Sequence, residues 1–318
     1  MIADKMKPVM ANNSAIRTMF EEGDRLRAKY GAENVFDFSL GNPNAPVPAE
    51  IKQAIIDLLD EEDSVTLHGY MSNAGFEDVR EAIAQSLNRR FDTAFTHENI
   101  LMTVGAASGL NVALKTVLNP GEEAVIFAPY FLEYNWYVDN YGGKVVQAPT
   151  HKETFYPDIE SFEKLITDKT RVVIINTPNN PTGVIYSEDT IKAIADILKK
   201  KQEEFGSTIF LISDEPYREL AYEGRQVPYV TKYYDNTIVA YSYSKSLSIP
   251  GERIGYLVIP SELEDSRMVF DTATSANRII GCVNAPSLQQ KVIGRCVDVK
   301  VDVEYYDKNR TALYEGLK

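Results

Sequence analysis

The sequence predicts an α/β fold with a mostly parallel central sheet sandwiched by helices. Three observations predict it. Strand-like and helix-like segments alternate between residues 99 and 260. The strand-like runs are almost continuously apolar, as in "AVIF" and "RVVIIN", which marks strands buried on both faces. With 318 residues the chain is long enough for one large core or two smaller ones.

The elements follow in order. An amphipathic stretch, "SAIRTMFEEGDRLRAKYG" at 14–31, reads as a helix, and "NVFDFSLGNPNAPVP" at 34–48 reads as a short strand entering a Gly/Pro turn. Helices are expected over 48–61 and 76–92. Strand 99–104 precedes helix 105–118, strand 122–129 precedes helix 131–142, and strand 143–149 precedes helix 158–168. Strand 171–177 runs into a proline-rich turn and a helix near 187–204. Strands 207–214 and 237–244 and a last apolar run at 255–260 follow. From 286 to 318 the pattern is helical and one connecting helix is expected, roughly 45–50 Å long at 1.5 Å per residue, with two shorter helices as the alternative.

Composition narrows the function. Hydrophobic residues make up 44% and charged ones 25%, as in ordinary globular proteins. A net charge of -13 argues against a nucleic-acid partner, which needs concentrated positive surface. No leader pattern and no apolar run approaching 18 residues is present, so no membrane partner and a cytoplasmic location are expected. Cys282 and Cys296 fit neither a metal spacing nor a disulfide framework, and His68, His97 and His151 are scattered, so no metal site is expected.

Open α/β sheets bind ligands beyond the carboxyl ends of their strands. "GAASGL" follows the first strand; Gly105, Ala106 and Ala107 leave backbone N–H groups clear at a helix start, a geometry suited to phosphate. A small-residue turn chosen for packing would look the same. "APYFLEY" supplies an aromatic, and "PNNPTG" (178–183) a sharp turn in which Asn180 before Pro181 could host a cis peptide. In "SDEPY", Asp214 ends an apolar strand, so it needs a cationic or hydrogen-bonding partner if buried, and Tyr217 follows three residues on. "SYSKSLSIPGERIGY" places Lys245 at a strand end, among Ser242 and Ser244, with Arg253 eight residues on. A lysine desolvated beside other cations becomes a nucleophile for carbonyls, and an arginine grips phosphate bidentately.

Together these endings offer a phosphate cradle, a stacking aromatic, an acid for a pyridine nitrogen, a phenol and an amide for a ring hydroxyl, and a lysine for an aldehyde. Pyridoxal 5′-phosphate requires that set. The five motifs stand in the order seen in the class I/II aminotransferases, the fold-type I pyridoxal-phosphate enzymes, and the chain resembles that family from "FSLGNPN" to "NRTALYEGLK". The resemblance implies that Lys245 holds the cofactor as an aldimine and later acts as general base. It implies that Asp214 pairs with the ring nitrogen, that Asn180 and Tyr217 bond the ring oxygen, and that Phe131, more than Tyr130, stacks on the ring. Gly105, Ala106, Ala107, Ser242, Ser244 and Arg253 would hold the phosphate, although the family often has Ser or Thr near Ala107. Tyr70, in "HGYMSNAG", matches a tyrosine that reaches the neighbouring subunit's phosphate, which implies a homodimer with shared active sites. Gly41 matches a glycine near the substrate carboxylate.

The implied activity is a ping-pong exchange of an amino group between an amino acid and a 2-oxo acid. The second reading is a β-lyase using the same cofactor, and the third is the aminotransferase-like effector domain of a transcription regulator. Arg278 either reaches a substrate side-chain carboxylate across the dimer or is an interface arginine. Residues 1–45 would be an arm and part of a small domain, 46–285 the large cofactor domain, and 286–318 a connector toward a small domain that the chain lacks. The resemblance implies that the family's carboxylate-binding arginine would belong to that lobe, and no residue here is assigned to it.

Overall fold

In a computed structural model the chain is described over residues 2–7, 21–36, 38 and 41–318. It divides into two compact units, 1–44 and 45–318. In the first, residues 21–30 are helical, the second half of the helix expected over 14–31; residues 14–20 lie outside the described set. The strand expected near 34–48 falls partly outside it as well, and Val35, Phe36 and Phe38 carry no regular structure.

The second unit is built on seven strands: β1 (Ile100–Thr103), β2 (Glu123–Phe127), β3 (Lys144–Ala148), β4 (Thr170–Asn176), β5 (Phe210–Asp214), β6 (Thr237–Ser242) and β7 (Gly255–Val258). They form one sheet in the order β1-β7-β6-β5-β4-β2-β3. The β2–β3, β2–β4, β4–β5 and β5–β6 pairs are parallel, and only β7 runs against its neighbours β1 and β6. The expected mostly parallel sheet is therefore present. Register aligns the strand ends: Asn176 lies beside Asp214, Asp214 beside Ala240, Ser242 beside Gly255, and Gly255 beside Thr103.

Helices cover both faces: α1 (Ala49–Glu61), α2 (Ser64–His68), α3 (Glu77–Phe91), α4 (Gly105–Val117), α5 (Glu133–Asp139), α6 (Ile159–Leu165), α7 (Glu188–Phe205), α8 (Tyr243–Ser246), α9 (Ser266–Ile279), α10 (Ser287–Arg295) and α11 (Val303–Leu317). Because side chains alternate along a strand, neighbouring residues enter different layers. Ile174 and Ile212 join Leu110 and Phe270. Val173 and Leu211 join Ile191, Ile194 and Leu198 of α7. Each such side chain contributes ~1.5–3 kcal/mol on full burial. Helix α7 is bounded by its own residues: the Ser187 side chain accepts from Thr190 N–H, and Gly206 closes the helix with φ +63°.

Two expectations are corrected. The segment 286–318 is not one helix but α10 and α11 separated by residues 296–302. The sequence there, "CVDVKVD", alternates valine with polar residues, a strand-like period that does not suit a helix face. Asp302 then starts α11 by accepting from Glu304 N–H, while Val301 N–H donates to Ser246 O, 2.9 Å. Strand β6 also ends at Ser242, not at residue 244, so Lys245 sits in the one-turn helix α8. The Ser242 hydroxyl caps that turn by accepting from Ser244 N–H. Helix α9 has no counterpart in the sequence reading.

Candidate active site

The aligned strand ends open onto a cavity of about 170 Å³. Its wall includes Ala106 and Ala107 from α4, Phe131 before α5, Asn180 after β4, Asp214 and Tyr217 at and after β5, Ser242 and Ser244, Lys245 on α8, and Arg253 before β7. The residues singled out behind five different strands thus lie on one surface. Five expected residues are not part of that wall. Gly105 supports it instead: with φ +74°, a Cβ there would lie 3.0 Å from an Arg253 guanidinium nitrogen. Tyr130 is buried, donates to Asn135 Oδ1 and accepts from Gln147, so of the two candidates Phe131 is the one on the cavity wall. Tyr70 is 96% exposed, and Gly41 belongs to the first unit. Arg278 is exposed near the end of α9 and is not part of the wall.

At one end stands Asp214, buried. Oδ2 accepts from the Tyr134 hydroxyl at 2.5 Å, whereas Oδ1 is buried and accepts no bond. Burial pushes the carboxyl up to about 7; the Tyr134 bond opposes this, and neighbouring Glu215 adds to it. Asn176 fixes the floor: its amide donates to Asp214 O at 2.9 Å, and its oxygen accepts from Asn180 N–H at 2.6 Å. Asn180, whose bond to Pro181 is cis, donates to the Tyr217 hydroxyl at 3.3 Å. Burial raises the Tyr217 phenol.

The other end is cationic and rich in donors. The Ser242 and Ser244 hydroxyls are 2.7 Å apart. Arg253 has a left-handed backbone, φ 53°, and is anchored through Pro250 O at 2.9 Å. Helix α4 begins here and turns its first N–H groups toward it. Lys245 lines the same cavity; burial, then the charge of Arg253, lowers its ammonium.

This arrangement fits pyridoxal phosphate. A buried carboxylate oxygen without a partner calls for a cation such as a protonated ring nitrogen. Two hydroxyls, a guanidinium brought close by Gly105 and a helix N-terminus suit a dianion. Tyr134, Tyr137 and Asn176 belong to the site and were missed by sequence reasoning. Tyr134 had one available signal: it stands three residues after Phe131, on the same side of a helix start.

Fold and cavity together define a fold-type I pyridoxal-phosphate protein. The family profile "Aminotransferase class I and II" matches residues 33–318, and the chain belongs to that family. It is 32% identical over 257 residues to the aspartate aminotransferase of Pyrococcus horikoshii, covering 80% of this chain and 62% of that protein. It is 30% identical to aromatic-amino-acid aminotransferase 2 of Thermococcus litoralis, covering 85% of this chain and 66% of that one. The crystal structure of an aminotransferase from Eubacterium rectale superposes with TM-score 0.96 at 46% identity, covering all of this chain and 80% of the other. The chain therefore spans less than two thirds of the length of these curated relatives.

Proposed function

We propose that the protein is a pyridoxal-phosphate-dependent aminotransferase, exchanging an amino group between an amino acid and a 2-oxo acid in two half-reactions. One observation carries the reading: Lys245, Asp214 with its open Oδ1, and the Ser242–Ser244–Arg253 cluster line the same cavity. The relatives named above are aminotransferases, so the lyase reading is not carried further. Their names span acidic and aromatic amino acids, so similarity selects no substrate.

The tasks follow from the geometry. Pyridoxal phosphate, when bound, supplies an aldehyde for amines and an electron-withdrawing ring. Lys245 is the amine for that aldehyde; its lowered pKa leaves more of it neutral, and once released it can carry a proton at Nζ. Asp214 would hold the ring nitrogen protonated. Tyr217 and Asn180 would hold the ring oxygen, Phe131 would cover a ring face, and Ser242, Ser244, Arg253 and the amides of Ala106 and Ala107 would hold the phosphate. Residues 1–45 would serve as an arm and small-domain segment, with Gly41 near the substrate, 46–285 as the cofactor domain, and 286–318 as the lead toward a small domain. Exposed Tyr70 fits a homodimer in which it completes the partner's phosphate site, and the setting proposed is the cytoplasm. Among the described residues no helix is long and apolar enough to cross a membrane.

Lys245→Ala tests the reading. Cofactor-loaded protein is expected to be yellow, and the variant colourless after dialysis. Retained colour with unchanged amino-acid turnover would overturn it.

A further inference from the structure

Tyr217 is held in an unusual way. Its side-chain hydrogen bond, from Asn180, is 3.3 Å long, just beyond the usual range for an N–H donor. Its position therefore depends on the backbone, and the backbone is clamped from behind by buried charge. Glu215 directly follows Asp214 and is 1% exposed. Its carboxylate accepts from Ser213 Oγ at 2.8 Å and from Arg218, Nε at 2.7 Å and Nη2 at 2.5 Å. Arg218, 6% exposed, also donates from Nη1 to Val227 O at 3.0 Å and from Nη2 to Pro228 O at 3.3 Å. Its guanidinium also lies 4.9 Å from both the Phe91 and Tyr229 rings, which stack on each other at 4.4 Å.

The pair therefore spans Tyr217 like a bridge: Glu215 lies two residues before it and Arg218 one residue after. Downstream, Glu219 is pinned in turn by Arg90 and by Lys300 at 2.9 Å. A buried ion pair is a costly way to stabilise a fold, since apolar residues of similar volume often do as well or better. What it supplies is a fixed geometry: every polar group of the pair is directed, and the turn cannot rotate without unpairing a buried charge.

We propose that Glu215 and Arg218 are positioning residues that aim the Tyr217 phenol at the cofactor's ring oxygen. The inference rests on the proposed function and goes beyond it, because neither residue reaches the cavity wall. Arg218 has a second effect here, favouring the charged form of Glu215, whose charge in turn raises the Asp214 carboxyl.

The test is the pH midpoint of the visible absorbance of the protein loaded with pyridoxal phosphate. A phenol donating to the ring oxygen favours its anionic form, so Tyr217→Phe is expected to raise the midpoint by ~1 unit. The double variant Glu215→Gln/Arg218→Met removes both charges at similar volume, and is expected to raise it by at least half as much. Arg218→Lys keeps the charge but loses the fork to Val227 and Pro228, and is expected to give a smaller rise in the same direction. If the double variant does not fold, Arg218→Lys decides. A wild-type midpoint in these variants, with Tyr217→Phe shifted, would overturn the positioning role alone. A wild-type midpoint in Tyr217→Phe itself would overturn the role assigned to Tyr217, and this proposal with it.

Discussion

Tyr134 donates its hydroxyl to Asp214 Oδ2 across 2.5 Å, and both groups are buried at the cofactor end of the sheet. The bond is the one side-chain contact that favours ionised Asp214, against burial and Glu215, which both favour the neutral form. Tyr134→Phe should therefore make the carboxylate harder to ionise and weaken its pairing with a ring cation. A hydrogen bond to a charged group contributes ~1.5–3 kcal/mol, so a rise in cofactor Kd of about tenfold or more is expected. Equilibrium dialysis with pyridoxal phosphate would show it. An unchanged Kd would mean that Asp214 pairs with the cofactor without help from Tyr134.

The same carboxyl makes the cofactor-free protein sensitive to pH. Asp214 titrates near 7 in the folded chain and near 3.8 in an ordinary setting. Below 3.8 both states hold the proton, and above 7 both have lost it. Between them the folded chain binds a proton that the unfolded chain does not, so stability falls as pH rises, by an amount on the order of 4 kcal/mol. Asp214→Asn removes this dependence. Melting temperatures of the two cofactor-free proteins should diverge from pH 4 to pH 7, the variant gaining, and run parallel above. Parallel curves throughout would place the folded pKa near its ordinary value.

How far the sequence was legible depends on the range of the interaction. The seven strands are marked by local apolar runs; six lie within the segments expected, and β4 begins one residue earlier, at Thr170. The strand-end residues were found because the chemistry of one cofactor asks for them together. Tyr134 was not found, because its partner is 80 positions away and no local pattern pairs them. The sequence sets Lys245 directly after a strand because "IVAYSYS" is apolar and alternating; the Ser242 cap that turns the backbone into α8 is a two-residue signal inside that run. The break at 296–302 had its own markers, the alternating valines and the Asp302 cap, which lose their visibility when a helical period is extended over them.

That break has a consequence for Lys245. Val301 is 5% exposed, and its N–H donates to Ser246 O, one residue after the lysine. Tyr306 on α11 approaches the Ser248 hydroxyl at 3.3 Å. The linker and α11 thus brace the α8 turn from outside the cavity. Val301→Ala trims the buried side chain and should cost ~1–2.5 kcal/mol of stability. It should also speed amide exchange at Ser246 and Leu247 more than in β5. Equal acceleration in both places would show a general loss of stability and no local brace.

Gly105 and Gly255 meet behind the Ser242–Ser244–Arg253 cluster and differ in what an added side chain would strike. At Gly255, the first residue of β7, an added Cβ would lie 2.3 Å from Tyr241 O and 3.0 Å from the Gly105 backbone. Those atoms belong to β6 and to the start of α4, so nothing there can swing aside. Gly255→Ala must part the β6–β7 pair at Ser242, and soluble folded protein is expected to be scarce. At Gly105 the obstacle is the end of the Arg253 side chain, which can move, and the remaining cost is the left-handed backbone, ~1–2 kcal/mol. Gly105→Ala should therefore fold, melt several degrees lower, and bind pyridoxal phosphate more weakly than pyridoxal, because the displaced guanidinium serves the phosphate alone. The measurement is the ratio of the two dissociation constants. A wild-type ratio in a folded Gly105→Ala protein would show that the Arg253 guanidinium does not depend on the open space at Gly105.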